Sequence, residues 1–183
     1  MVVVNVWRGW ETIAMSGLKI RKDNAAAVLA ALNRLTKMDV LVGIPSSKAH
    51  RGDGEELNNA EIGYLQSTGG TVRIGGKTVT LPPRPFLEMG IEDTKPITTE
   101  HLKAAADYAI EDKFDAAQRE LEKAGMVAMN VAKKVISEGD RLHPLSEATL
   151  HRRKENNVPG EKPLYDTGSL LKSITYVVRN KGE

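Results

Sequence analysis

The chain contains no cysteine, which excludes a disulfide framework, a thiolate nucleophile and any thiolate metal site. Aromatic residues make up only 4% of its 183 residues, so aliphatic side chains and alanine must build the core. Neither sign of charge is in surplus: 26 Lys and Arg against 24 Asp and Glu leave a net +2. That is not the electrostatic footprint of a dedicated nucleic-acid binder. No window approaches the ~18 consecutive apolar residues that suggest a membrane span. The opening apolar run, residues 1–7, is short and has no basic segment before it, so neither a leader nor a span is expected there. No internal repeat is visible. At 40% hydrophobic and 27% charged, the composition is that of a globular protein with one core.

Residues 1–20 read as an N-terminal arm, β-type at 2–7 and 18–20 and broken by Gly9 and Gly17. Trp7 and Trp10 there are either packing aromatics or the contacts of an arm docked on a neighbour. Residues 21–183 read as a single α+β domain. Asp23 or Asn24 can cap a helix to about Lys37, with Val28, Leu29, Leu32 and Leu35 on one face. Residues 39–45 form a strand stopped by Pro45, and 46–56 a polar loop in which Arg51-Gly52-Asp53 is a chance triplet. Asn58 or Asn59 starts a helix over 60–66. In residues 71–80 a Gly75-Gly76 turn closes a hairpin. Its register sets Val72 opposite Val79 and Arg73 opposite Thr78.

The dominant pattern is a stripe: Leu102, Ala106, Ile110, Phe114, Ala117, Leu121, Ala124, Ala128, Val131 and Val135. It predicts one long helix over 98–137, on the order of 60 Å at ~1.5 Å per residue. Pro96 and Thr98 or Thr99 mark its start. The small residues Ala106, Ala117, Ala124 and Ala128 suit close packing on another subunit, or on the chain's own sheet with a break at Gly125. Beyond it, Ser146 can cap a short helix carrying Arg152, Arg153 and Lys154. That cluster meets phosphate or an acidic partner, or is a solvated helix end. Asp166 can cap a last helix, and 175–178 read as a closing strand.

Several motifs invite enzyme readings that do not hold. Asp166-Thr167-Gly168 matches the aspartic-protease triplet, yet that chemistry needs two such carboxylates. Gly76-Lys77-Thr78 ends like a phosphate-binding loop, but Gly70 is misplaced and the prolines at 82, 83 and 85 prevent the helix it must open. The four histidines lie in separate segments, so no metal or other cofactor is expected. Catalytic residues: none.

Five segments in order resemble the tail-completion (head–tail joining, virion morphogenesis) proteins of tailed bacteriophages. They are Val40-Leu-Val-Gly-Ile-Pro45, Asn59-Ala-Glu-Ile-Gly63, Pro82-Pro-Arg-Pro-Phe-Leu87, Pro144-Leu-Ser-Glu-Ala-Thr149 and Pro163-Leu-Tyr-Asp-Thr-Gly-Ser-Leu170. The resemblance implies a small α+β protein of the virion neck, made in the host cytoplasm. It implies a homo-oligomeric ring between portal or connector proteins and the tail tube or tail terminator, with DNA passing through its lumen and no membrane, catalysis or cofactor. The fold expected is a small antiparallel sheet with a β-hairpin, packed by helices including one long helix in the C-terminal half. Candidate interface residues are Arg84 and Phe86 on the rigid proline segment, the four stripe alanines, and Arg152, Arg153 and Lys154. For Phe86, burial in the core is the competing expectation. The alternative function is a nucleic-acid-binding module using Arg152, Arg153 and Lys154.

Overall fold

The computed structural model describes residues 24–181 except 53–55 and Gly75. The arm expected over 1–20 lies outside the described residues. Within them the fold is α+β and 58% helical, as the sequence predicts. The order is α1 (Ala25–Leu35), β1 (Met38–Gly43), α2 (Ser46–Ala49), α3 (Asn59–Thr68), β2 (Gly70–Ile74), β3 (Lys77–Leu81), α4 (Phe86–Ile110), α5 (Phe114–Glu138), α6 (Glu147–Glu155), α7 (Ser169–Ser173) and β4 (Thr175–Asn180).

The single long helix is corrected to an antiparallel pair, α4 and α5. The break falls at 111–113, not at Gly125. Asp112 takes a left-handed conformation (φ 60°). The Lys113 N–H then reaches back to the Tyr108 carbonyl (2.9 Å) and the Asp112 N–H to that of Ala109 (3.0 Å). This is the double bond of a Schellman terminus, with Asp where Gly is usual. Helix α4 also starts early, at Phe86, and contains Pro96. Proline there deprives the preceding turn of one donor. The Thr94 and Thr98 hydroxyls on either side bond carbonyls of that turn, to Gly90 (2.9 Å) and Thr94 (3.1 Å).

The stripe turns inward, but in α4 its register slips. Ala105 and Ala109 are fully buried, while Leu102 and Ile110 are 45% and 44% exposed and Ala106 is half-buried. Small residues let the backbones approach, and the larger side chains move to the flanks. At Gly90 the approach is tight: a Cβ would lie 2.5 Å from the Ala132 Cα. On α5 the alanines 117, 124, 128 and 132 are all buried. Gly125 does not end α5; it receives the Tyr176 ring, whose Cδ2 would be 2.6 Å from an added Cβ.

The strands pair two and two rather than forming one sheet. Strands β1 and β4 are antiparallel, from Met38 opposite Asn180 to Gly43 opposite Thr175, and pack on α5. The β2–β3 hairpin is separate and has the expected register, Val72 opposite Val79 and Arg73 opposite Thr78. Two clusters make the core. Ala105, Ala109, Ala117 and Leu121 fill the turn end of the helix pair, with Leu35, Val40, Phe114 and Val178 against them. Phe86, Val135, Ile136, Leu142, Leu170 and Ile174 fill the other end.

Two of the expected caps form. Asn58 and Glu61 make a reciprocal capping box on α3, and the Ser146 hydroxyl accepts the Thr149 N–H at the start of α6. The Asp166 cap does not. Gly168, in the left-handed region (φ 75°), precedes α7. Asp166 is therefore two residues too early and stays exposed.

Candidate functional site

At the Phe86 end of the helix pair, remote parts of the chain meet. A side chain at Gly63 would touch Ile44 (2.9 Å), Leu170 (3.6 Å) and Phe86 (3.8 Å). Buried Asn59 donates to the Ser169 hydroxyl (3.2 Å). Arg84 is only 5% exposed. Its Nε donates to the His143 carbonyl (2.7 Å), Nη2 to the Pro144 carbonyl (2.9 Å) and Nη1 to Gln66 Oε1 (3.0 Å). Its own N–H bonds the Gln66 carbonyl (2.8 Å). Burial lowers the pKa of this guanidinium from its usual value, yet arginine remains a cation in proteins. It is a bolt joining α3, the proline connector and the approach to α6. Gly69 (φ 68°) lets the connector cross, since a Cβ would fall 2.7 Å from the Leu81 carbonyl oxygen.

Above this junction lies a groove of about 1230 Å³ between α3, the hairpin, α6 and the 164–170 segment. Leu57, Ile62, Leu65, Val72, Val79, Leu81, Leu145, Leu164 and Leu170 give it an apolar lining. Arg51, Arg73, Lys77, Arg152 and Arg153 add cations, against two carboxylates, Glu56 and Asp166. Among the described residues no Phe, Tyr or Trp lines it; its one aromatic ring is the His143 imidazole. Arg153 is half-buried and braces the 156–162 loop through the Gly160 and Lys162 carbonyls (3.1 and 3.2 Å). The arrangement can receive an anionic surface with apolar content. Among the described residues, no group of three His, Cys, Asp or Glu could hold a metal ion, and no helix is long and apolar enough to cross a membrane.

The candidate residues divide sharply. Arg152 and Arg153 line the groove, while Lys154 is exposed on the same helix. Phe86 is fully buried in the core, which overturns its role as a presented anchor, and Arg84 is likewise turned inward. Proline geometry fixes the segment but aims these side chains at the chain itself. Ala117, Ala124 and Ala128 are buried inside the chain itself, and Ala106 is half-buried. Reading residues one segment at a time missed Arg51, Arg73 and Lys77. A usable signal was charge by region. Residues 24–85 and 142–181 carry fourteen Lys and Arg against nine Asp and Glu, whereas 86–141 carry eight against twelve.

Elsewhere, ion pairs staple the helices. Arg141 forks onto Asp93, one bond at 3.1 Å, and holds that carboxyl below its ordinary range. Glu120 is lowered by bonds from Lys123 and then His101, whose Nδ1 lies 2.7 Å from Glu120 Oε2 across the pair. No family model, curated protein or solved structure matches this chain.

Proposed function

We propose that this chain is a structural protein of the tail-completion, or head–tail joining, class of tailed bacteriophages. It forms part of the virion neck as a ring of identical subunits. Its neighbours are portal-side connectors on one side and the tail tube or terminator on the other, and DNA passes through the lumen. Its work is contact, without catalysis or cofactor. The observation that supports this is the convergence at Gly63, Arg84 and Phe86. Ile44, Asn59, Gly63, Arg84, Phe86, Pro144, Ser169 and Leu170 come one or two from each of the five resembling segments, and they touch or bond at one junction. The resemblance therefore traces one structural unit rather than five unrelated stretches.

Light scattering over a concentration series, with negative-stain images, tests the reading on the protein alone and with connector and tail-tube assemblies of the same virus. Closed rings are expected, alone or on those assemblies; a monomer that ignores both overturns it. The groove cations favour a second reading, a nucleic-acid-binding module. Its affinity would fall steeply with salt, and it would work without a Phe, Tyr or Trp stacking platform in the groove.

A further inference from the structure

The turn of the helix pair is the chemical complement of the groove. Asp107, Glu111, Asp112 and Asp115 surround it, and Tyr108 and Ile110 are 37% and 44% exposed there. Lys113 within the turn is engaged by Glu111 (2.7 Å), and Arg34 sits 4.0 Å over the Phe114 ring. The turn is thus acidic with an apolar centre. The groove has an apolar lining with cations around it, and its volume exceeds the roughly 300–1,000 Å³ of small-molecule pockets. Each helix has 25 residues, so about 37 Å at ~1.5 Å per residue separates turn from groove. The two surfaces cannot meet within one molecule.

We propose that the 107–115 turn of one copy docks in the Arg73, Lys77 and Arg152 groove of a second copy. The occupant is a second copy because the chain itself carries the matching surface. A nucleic acid would leave most of the apolar lining without a use and would find no Phe, Tyr or Trp to stack on. Different patches meet in this contact, so repetition closes a ring or continues as a filament, never a two-fold dimer. The inference rests on the ring reading and names its subunit contact.

The test is a charge swap followed by light scattering at low and high salt, with circular dichroism as the check on folding. Wild-type mass should rise with concentration and fall with salt. Arg73→Glu with Lys77→Glu, or Arg152→Glu should the hairpin pair not fold, should weaken self-association at least about tenfold. Asp107→Lys with Glu111→Lys should do the same. Mixing a groove variant with the turn variant should rebuild alternating assemblies, because one contact is then the wild-type pair and the other the charge-reversed pair. Both changes in one chain should restore assembly. Rings that survive every reversal would overturn the contact and leave the neck reading standing. A wild type that stays monomeric at low salt would overturn the contact, and one that also ignores virion partners would take the neck reading with it. Groove variants that lose salt-sensitive DNA binding at unchanged mass would overturn it in favour of nucleic acid.

Discussion

Between α4 and α5, glycine and alanine, side chains with almost no reach, hold much of the buried contact, at Gly90, Ala105, Ala109, Ala117 and Ala132. Beneath the groove, a long cation and a few hydrogen bonds join segments over the Phe86 cluster. At Gly90 in the first region the Ala132 backbone lies so close that an added Cβ does not fit. In the second, the Arg84 and Asn59 side chains reach across to the His143 and Pro144 carbonyls and to Ser169, beneath a groove. A protein can thus be rigid along its length and carry an open, charged face at one end.

The largest loss should come where both regions share a residue. Phe86→Ala is expected to cost about 4 kcal/mol, since it leaves a cavity in a fully buried site; urea unfolding measures it. Gly90→Ala should follow at about 3 kcal/mol, because the clash is with Ala132 backbone, which cannot swing aside. A wild-type midpoint in that variant would show that the helix pair yields at this point. Arg84→Met should cost about 2 kcal/mol through unmet carbonyls at His143 and Pro144. Hydrogen exchange should then rise around 142–146 and not along α5.

Acid sharpens the contrast further. The carboxyls of Asp93 and Glu120 are lowered in the folded state. Their contribution is present above the ordinary carboxylate range and lost as pH falls through the lowered values. Glu120→Gln and Asp93→Asn should each flatten the acid limb of a stability–pH curve. The smallest effect belongs to the groove wall: Val79→Thr should change stability by less than about 0.5 kcal/mol, although it lies in the proposed contact.

Much of the fold was legible because it rests on local rules. The Gly75-Gly76 hairpin register, the Asn58 and Ser146 caps and the β1 and β4 strands follow from turn chemistry, capping and β-propensity. The helix break was not legible. The stripe runs across 110–114 without interruption, and the residue that takes the left-handed turn is Asp112, not a glycine. Nor was the buried face of α4, where Ala105 and Ala109 win over Leu102 and Ile110 because a tight pair selects size over hydrophobicity. For the groove, Arg152 and Arg153 were picked out. Their meeting with Arg73 and Lys77 depends on tertiary placement that no segment encodes alone.

The β1–β4 pairing has a mechanical consequence. Met38 and Asn180 sit opposite each other at one end of the ladder, and the Lys181 N–H bonds the Lys37 carbonyl just beyond (2.6 Å). Tension applied at residues 37 and 181 therefore peels the ladder like a zipper, one rung after another, instead of shearing all rungs together. In a force experiment gripping those two points, this element should yield first and at low load, while the helix pair beneath it is still folded.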